Sequence, residues 1–265
     1  IDSGSAIGNT TLKQDNQIIS GDKIEYKKYP ESSGVSYSAK GNVTINEDGR
    51  IATCGEAIYD RQNGKTSLKI NPKIVDNNQP ISGNEIFLAS TIRKKSDSKA
   101  LNHIFVAGGS RGTYTPDSTT GDVEGPVIYS SEDIEYDIAG EYMDLHGEAD
   151  IQYTDVNLSA GFINMEWNKN LLKATPMSER DSTYGFLMPS MIESEKEPLT
   201  GDSMLYNLET RQGKVTKGKT KAEDGYYHGE QIRNQDMDIF YAENAIYTTC
   251  DLDRPHFHFH MNKMK

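Results

Sequence analysis

The sequence is poor in cysteine, with only two among its 265 residues. Cys54 and Cys250 are too far apart along the chain to form a local metal-binding motif. A disulfide between them would close a very long loop and would suit an oxidising compartment. Two unpaired thiols, or thiols that pair with a segment outside this sequence, are the other interpretations, and the sequence leaves all of them open.

Positive charge is also scarce, because 28 lysines and arginines stand against 40 aspartates and glutamates, for a formal net charge of −12. A surface with this excess of acid repels phosphate backbones, so nucleic acid is not expected as a partner. It also offers no broad basic face to anionic lipid headgroups. Contact with such headgroups would be confined to local clusters, namely Arg93-Lys94-Lys95 or the group Lys214, Lys217, Lys219 and Lys221.

Long apolar runs are missing as well, and so are enzyme motifs in the strand–turn–helix context that they require. No stretch approaches the roughly 18 apolar residues of a membrane-spanning helix, and no signal peptide is present. Ile1-Asp2-Ser3-Gly4 reads as a mature or engineered start, so the lack of a targeting segment does not indicate the cytoplasm. The spacings of a nucleophile elbow and of a phosphate-binding loop occur at residues 108–112 (Gly-x-Ser-x-Gly) and 213–220 (Gly-x-x-x-x-Gly-Lys-Thr), but neither stands in a strand–turn–helix context, which both sites require. We therefore predict no catalytic residue, no cofactor and no enzymatic activity.

Apolar and polar residues instead alternate with period two along much of the chain. Over residues 142–153, one face receives Met143, Leu145, Gly147, Ala149, Ile151 and Tyr153, and polar residues occupy the other. Such alternation is typical of strands that are buried on one face. A mean hydropathy of −0.70 and an apolar fraction of 35% fit thin sheets with one solvent-exposed face.

A short unit recurs along the chain: an apolar residue, Ser or Thr, Gly, an acidic or amide residue, any residue, and a second apolar residue. It occurs at residues 19–24, 81–86 and 199–204, with looser copies at 53–58, 129–134, 158–163 and 227–232. Glycine permits a tight corner, and the following side chain can bond the corner backbone. We predict an all-β fold, a slanted two-sheet β-jellyroll built of stacked strand–turn–strand rungs, in one stack or in two consecutive stacks.

The signal for strands is weakest over residues 93–126, which contain Gly108-Gly109 and a Pro116-to-Gly121 turn segment. We therefore predict a first jellyroll segment over residues 1–92, a loop or linker over 93–126 with a candidate strand at Leu101 to Ala107, and a second jellyroll segment over 127–265.

Alternation also assigns a set of apolar and aromatic side chains to the inner faces of the predicted sheets. Each of them either fills a dry core or lines a lipid-binding groove, and the pattern alone leaves both open. The candidates are Ile24, Tyr26, Val43, Ile45, Ile86, Leu88, Ile134, Tyr136, Met143, Leu145, Ile151, Ile163, Met165, Trp167, Met204 and Tyr206.

Three histidines near the end of the chain, His256, His258 and His260, alternate with Phe257 and Phe259. On a strand the imidazoles would share one face, with about 6.5–7 Å between neighbours. Zinc needs its nitrogen ligands at about 2.0–2.1 Å, so the three histidines are only weak metal candidates and we predict no metal site. A polar face opposite a buried phenylalanine pair, or a pH-sensitive surface, are the other interpretations.

Two sets of motifs carry a resemblance to a known family. Ser20-Gly21-Asp22 and Gly41-Asn42-Val43 resemble the OstA-like β-jellyroll family, which includes periplasmic lipopolysaccharide-bridge proteins and the soluble N-terminal part of LptD. Residues 199–207, 211–213, 224–230 and 247–257 are similar to the N-terminal region of Bacteroidetes-type LptD. The resemblance is closer over residues 127–265 than over 1–92, where only the general OstA-like pattern agrees.

The resemblance implies a lipid-conduit module on the periplasmic side of the outer membrane, which shields the acyl chains of lipopolysaccharide and passes lipopolysaccharide toward that membrane. The partners that it implies are lipopolysaccharide, a periplasmic OstA-like bridge protein that pairs through strand edges, an outer-membrane barrel and a plug lipoprotein. In that family a Thr-Cys-Asp…Pro-His segment precedes the barrel, so we expect the natural chain to continue into a barrel after Lys265.

Two alternatives remain. The first is a freestanding periplasmic lipopolysaccharide-bridge protein that assembles edge to edge, because open first and last rungs leave strand edges that invite pairing. The second belongs to a different class, a β-jellyroll or β-helical protein that binds or cleaves sugars. Acidic pairs such as Glu132 with Asp133 would have to serve it, and pairs of this kind are expected by chance among 40 acids.

Overall fold

The computed structural model describes residues 2–14, 16–28, 35–60, 63–76, 79–91, 100–116, 123–177, 187–194, 196–236, 239–252 and 255–265. These residues form β-strands and one short 3-10 turn at Trp167–Lys169, which confirms the all-β prediction. None of the helical structure in these ranges has the length or the apolar character to cross a membrane. The chain divides into two compact units, residues 1–115 with 132–141, and residues 116–131 with 142–265.

The described residues of the first unit form nine strands and part of a tenth. They are β1 Asp2–Gln14, β2 Gln17–Lys28, β3 Val35–Glu47, β4 Arg50–Asp60, β5 Lys65–Lys69, β6 Lys73–Asp76, β7 Gln79–Ser82, β8 Glu85–Thr91 and β9 Ala100–Tyr114. The next strand, β10 Val127–Asp137, gives its residues 132–137 to this unit and its residues 127–131 to the second.

Antiparallel pairing arranges the first unit in two sheets. Sheet A runs in the order β1 (2–7), β2 (23–28), β3 (35–40), β4 (56–60), β5, β8 and β9 (100–107). Sheet B runs in the order β1 (10–14), β2 (17–20), β3 (43–47), β4 (50–53), β6, β7 and β9 (111–112). Long strands therefore pass through both sheets.

The second unit contains the remaining strands. They are β11 Tyr142–Tyr153, β12 Val156–Glu166, β13 Leu171–Thr175, β14 Ser190–Glu193, β15 Leu199–Thr200, β16 Ser203–Asn207, β17 Gly213–Ala222, β18 Gly225–Asp236, β19 Ile239–Thr248 and β20 Phe259–Met264.

Pairing gives the second unit the same plan. Sheet C runs in the order β11 (142–146), β12 (162–166), β13, β16, β17 (213–216), β18 (231–236), β19 (239–243) and β20 (263–264). Sheet D runs in the order β11 (149–153), β12 (156–160), β14, β15, β17 (219–222), β18 (225–229), β19 (245–248) and β20 (259–261). Each unit is thus a two-sheet jellyroll, as the rung pattern predicted.

The recurring glycine of the sequence unit lies where a strand leaves one sheet and enters the other. Gly21 in β2 is one example. Gly41 of the Gly41-Asn42-Val43 motif lies at the neighbouring corner in β3 and has a φ of +72°, a conformation that L side chains rarely adopt. Gly161 in β12 has ordinary φ, but a Cβ there would stand 2.5 Å from the backbone nitrogen of Met177. Glycine is needed at the corners either for a positive φ or for close approach of another backbone.

The acidic or amide residue that follows the glycine bonds the neighbouring corner. Asp22 accepts a hydrogen bond of 3.0 Å from the side-chain amide of Asn42. Asp133 belongs to the looser copy at residues 129–134, which has no glycine, and accepts a hydrogen bond of 3.0 Å from the backbone N–H of Gly108. Asp202 forms an ion pair of 2.7 Å with Lys217. These contacts connect successive corners and satisfy polar groups that the interrupted strand ladders leave without a partner.

One part of the predicted organisation is corrected by the structure. Residues 100–114, assigned to a loop or linker apart from the candidate strand at Leu101 to Ala107, form the fifteen-residue strand β9. Gly108 and Gly109, which suggested a loop, both have positive φ and lie where β9 passes from sheet A to sheet B. A glycine pair therefore marks a corner here and not the end of the strand.

Candidate functional site: the apolar interior of each unit

The inner faces of the sheets in each unit are lined by apolar side chains. Of the predicted inward residues, thirteen are at most 7% exposed: Ile24, Val43, Ile45, Ile86, Leu88, Ile134, Met143, Leu145, Ile151, Ile163, Met165, Met204 and Tyr206. Cross-strand pairs such as Leu145 with Ile163 extend across sheet C as continuous apolar rows. The structure thus places these side chains inside, while their predicted contact with lipid stays a prediction.

Three predicted inward residues are only half-buried, namely Tyr26, Tyr136 and Trp167. Tyr26 covers Gly4 of β1, where a Cβ would stand 2.7 Å from its hydroxyl. Trp167 follows the end of β12 and belongs to the 3-10 turn, so the alternation that predicted it had already ended at Glu166. Its indole contacts the ring of Tyr129, with 6.4 Å between the ring centroids.

The interior is closed around its central side chains. Ile86 and Ile134 in the first unit, and Met143, Leu145 and Ile163 in the second, have no accessible surface. Protein atoms therefore pack against them on all sides, as in a close-packed core. A lipid chain reaches these positions only if the two sheets of the unit move apart.

Few polar groups enter this interior. The hydroxyl of Tyr37 forms no hydrogen bond with the described residues, and burial raises the pKa of Tyr37 far above its usual range. Asp76 is compensated by Arg50, whose Nε lies 3.0 Å from its Oδ2. Burial, followed by the charges of Asp76 and Glu141, raises the pKa of Tyr136 to about 12. These groups are uncharged or paired, which leaves the interior apolar.

An ion pair joins the two sheets of the second unit at their ends away from the corners. Arg211 lies in the turn between β16 and β17, at the end of sheet C, and Asp155 lies in the turn between β11 and β12, at the end of sheet D. The guanidinium of Arg211 contacts the carboxylate of Asp155 directly. We call this contact the latch, because it spans the side of the unit that no strand crosses among the described residues.

Neighbouring groups hold the latch in place. Ser194 donates a hydrogen bond of 3.1 Å to Asp155, and the side-chain amide of Asn234 donates one of 3.0 Å to the carbonyl of Arg211. Burial alone would raise the pKa of Asp155, but hydrogen bonds from Thr154, the backbone and Ser194, together with the charge of Arg211, outweigh it and lower that pKa. Asp155 is therefore stabilised as a carboxylate.

The histidines near the end of the chain do not share a strand face. β20 begins at Phe259, so only His260 lies on it. His256 and His258 precede β20, and Nδ1 of His256 lies 3.7 Å from the sulfur of Cys250. The phenylalanine pair is exposed and not buried, at 56% for Phe257 and 68% for Phe259. Within the described ranges, no group of three or more His, Cys, Asp or Glu residues has the geometry to hold a metal ion.

Both cysteines are free thiols in the structure. Cys54 is buried in β4 at 8% exposure, and burial raises the pKa of its thiol to about 11. Cys250 is partly exposed and donates its backbone N–H to the hydroxyl of Thr248 at 3.0 Å. The disulfide alternative is therefore not present in this structure.

The predicted basic clusters have different outcomes. Arg93-Lys94-Lys95 lies outside the described residues. Lys217 is neutralised by Asp202, and the corner beside it separates Lys214, in sheet C, from Lys219 and Lys221, in sheet D. The four lysines thus do not form a single patch.

Comparison with known proteins gives a match within the first unit. Residues 3–94 match the family described as LptA/(LptD N-terminal domain) LPS transport protein, in agreement with the OstA-like resemblance of the motifs in this segment. The match covers less than half of the chain. It does not reach residues 127–265, where the motif resemblance to LptD is closer, and the assignment of that segment to LptD stays a prediction.

Among curated proteins, none matches the chain. Among solved structures, the chain is similar to LptH, described as the LptA homologous periplasmic component of the conserved lipopolysaccharide transport device from Pseudomonas aeruginosa. The sequence identity is 11% and the TM-score is 0.48, over 54% of this chain and 93% of that chain.

Proposed function

We propose that this chain is a periplasmic lipopolysaccharide-transport module in which the apolar interior shields the acyl chains during passage toward the outer membrane. The observation that carries the proposal is the match of residues 3–94 to the LptA and LptD N-terminal family, on a unit whose two sheets enclose mainly apolar side chains and a few polar ones that are uncharged or paired. The second unit repeats this plan, so both units are suited to the same cargo.

Physical chemistry explains why an acyl chain needs such an interior. Exposure of each CH₂ group to water costs about 0.8 kcal/mol, so an entire lipid with several chains cannot cross an aqueous space unshielded. Apolar residues facing each other replace water around the chains, while sugars and phosphates stay outside. No side chain with a catalytic arrangement is required, and we propose that the chain is not an enzyme.

The second unit has a feature that favours reversible filling. Met143, Met165 and Met204 lie on the inner face of sheet C, and Met191 lies on that of sheet D. Methionine is unbranched and adapts its shape to irregular or changing neighbours. Their side chains can therefore repack when the sheets separate around an acyl chain, at lower cost than branched residues would allow.

A place of entry follows from the topology. The corners connect sheets C and D along one side of the second unit. The two sheets therefore separate most easily along the other side, where the latch between Arg211 and Asp155 closes the unit. We propose that acyl chains enter there, and that the latch opens when they do.

We also propose that the chain works on the periplasmic side of the outer membrane and pairs with an OstA-like bridge protein through a strand edge. β1 pairs with β2 on one side, and its other edge has no partner strand in the part of the chain that the structure describes. An unpaired edge accepts a further strand through main-chain hydrogen bonds. The same edge would serve a freestanding bridge protein, whose copies would form concentration-dependent filaments.

Site-specific photo-crosslinking tests the transport proposal. A photoreactive residue replaces Ile151 or Ile86, which are buried, and in matched controls it replaces their outward neighbours Gln152 and Phe87. We expect lipopolysaccharide adducts at the two inward positions and not at the outward ones. Phe87 is itself apolar and 36% exposed, so adducts at Phe87 as strong as those at Ile86 would reject the proposal.

A further inference from the structure

The outer face of sheet C carries a row of cations that the apolar interior does not explain. Lys173 lies opposite Leu205, Leu205 opposite Lys214, and Lys214 opposite Arg233. Each of these has at least one buried neighbour along its strand, such as Leu172, Met204, Val215 and Ile232, so the row itself faces outward. The three cations and the exposed Leu205 thus form one continuous line across four strands.

This arrangement is electrostatically unfavourable without a counter-charge. Like charges directly opposite each other on neighbouring strands destabilise a sheet, and Lys214 stands directly opposite Arg233. Within the described ranges, no carboxylate pairs with Lys173, Lys214 or Arg233. Several exposed lysines elsewhere are compensated, as Lys40 is by Glu56 at 2.9 Å. In a chain with a net charge of −12, an uncompensated pair of cations is a local attractor for anions.

A shallow depression lies beside this pair. Its volume is about 370 Å³, its lining includes Lys214, Arg233, Gln212 and Leu205, and no acidic residue lines it. Asn207 also lines it but already accepts bonds from Thr210. Lys214, Arg233 and Gln212 donate no side-chain hydrogen bond to other described residues, so their donors are available to a ligand.

A second depression on the other side of Arg233 is less suited to an anion. It has a volume of about 430 Å³, and its lining includes Lys263 but also the carboxylate of Glu243. The acid repels a negative group there, so an anion is favoured on the side of Lys214. Arg233 lines both depressions and is the central donor of the surface.

We propose that the depression at Lys214, Gln212 and Arg233 binds the phosphate group of a phosphorylated sugar. The planar guanidinium of Arg233 suits two oxygens of one phosphate, Lys214 adds a point charge, and Gln212 bonds a sugar hydroxyl. The phosphate belongs either to the headgroup of lipopolysaccharide, in which case the site rests on the proposed function, or to a free sugar phosphate.

The test is an NMR titration of the full chain with inorganic phosphate, glucose 1-phosphate, glucose and deacylated lipopolysaccharide. We expect the side-chain N–H signals of Arg233 and Gln212 to shift with the phosphate-bearing ligands and not with glucose. In the double variant Lys214→Gln/Arg233→Gln, the dissociation constant should rise about tenfold or more, since hydrogen bonds to charged groups are lost. The matched control, Lys65→Gln/Lys73→Gln, removes the same charge outside the row and the depression and should bind within about twofold of the natural chain.

Equal binding by the natural chain and the Lys214→Gln/Arg233→Gln variant would overturn the proposal, and so would equal shifts with glucose and glucose 1-phosphate. Tighter binding of deacylated lipopolysaccharide than of glucose 1-phosphate assigns the site to the headgroup, and equal binding assigns it to any sugar phosphate. Deacylated lipopolysaccharide has no tails, so this titration is independent of the interior. If the photoreactive residue at Ile151 gives no lipopolysaccharide adduct while phosphate still binds, the transport proposal is rejected and the phosphate site is not.

Discussion

Arg211 and Asp155, which are 56 positions apart in the sequence, form the ion pair that joins the free ends of sheets C and D. The pair is partly shielded, with the side chain of Arg211 19% exposed and that of Asp155 36% exposed. Tyr206, itself buried, also bonds Arg211 and contributes to the raised pKa of its guanidinium. The contact therefore ties two turns to the edge of the apolar interior.

Breaking the latch should destabilise the second unit. In a double-mutant cycle with Arg211→Gln and Asp155→Asn, we expect a coupling of about 1 kcal/mol, reduced from the value for fully buried pairs because Asp155 is partly exposed. Urea denaturation gives the four free energies of unfolding. The control is the cycle with Lys169→Gln and Glu166→Gln, which removes an exposed ion pair between residues three positions apart. Its coupling free energy should be smaller. A coupling of zero for Arg211 and Asp155 would show that the latch contributes nothing to stability.

The latch also predicts a pH dependence. The pKa of Asp155 is lowered from 3.8 in the folded chain, so its contribution to stability is present above that value and is lost as the pH falls through the folded pKa. The stability difference between the natural chain and Asp155→Asn should therefore be largest near neutral pH and should shrink below pH 3.8, as the pH falls through the lowered pKa of Asp155. Urea denaturation of both proteins between neutral and acidic pH measures this difference in the free energy of unfolding. A difference that grows on acidification would contradict the stabilising role of the Asp155 carboxylate.

The corners predict a contrast between two glycines of the second unit. In Gly161→Ala the new Cβ would stand 2.5 Å from the backbone nitrogen of Met177, whereas in Gly125→Ala it would meet nothing within 4 Å. Because backbone cannot yield easily, we expect Gly161→Ala to lower the free energy of unfolding by about 1–3 kcal/mol and Gly125→Ala to change it by less than about 0.5 kcal/mol. Equal effects of the two substitutions in chemical denaturation would contradict the close approach at the corner.

The two thiols should differ in reactivity. Cys54 is buried and its pKa is raised to about 11, so the reactive thiolate is scarce and poorly accessible. Cys250 is partly exposed. The variant Cys54→Ser retains only Cys250, and a thiol reagent should label it rapidly at about pH 8. The variant Cys250→Ser retains only Cys54, and the reagent should label it slowly until urea unfolds the protein. Equally fast labelling of native and unfolded Cys250→Ser would show that Cys54 is not buried.

The features that follow from local chemistry were predictable from the sequence. Alternation identified inner faces correctly for residues such as Ile45 and Ile163, because the period of a strand is fixed by its backbone. The Ser-Gly-Asp unit at residues 20–22 indicated corners, since glycine and an adjacent acid have defined roles in sharp bends. Even there, Gly108 and Gly109 suggested a loop, because a sequence does not show whether a strand resumes after a bend.

Features that depend on pairing between distant segments were not predictable. The turn signal at Arg211-Gln212-Gly213 gave no indication that Arg211 would meet Asp155. Likewise, Lys214 and Arg233 become neighbours only through the register of β17 and β18. The spacing of His256, His258 and His260 suggested a strand, yet β20 begins only at Phe259. Register and strand ends are set by tertiary contacts, which composition and periodicity do not specify.

The most direct test of the lipid-bearing interior uses the isoleucine methyl groups as reporters in one sample. Ile86, Ile151 and Ile163 lie inside, whereas Ile51, Ile58 and Ile192 are 44%, 44% and 41% exposed on outer faces. With deuterated protein carrying protonated isoleucine methyls, intermolecular NOEs from the acyl chains of lipopolysaccharide should appear on the inner three and not on the outer three. NOEs confined to the outer three, or an absence of NOEs at the inner three under saturating lipopolysaccharide, would contradict an interior that holds acyl chains.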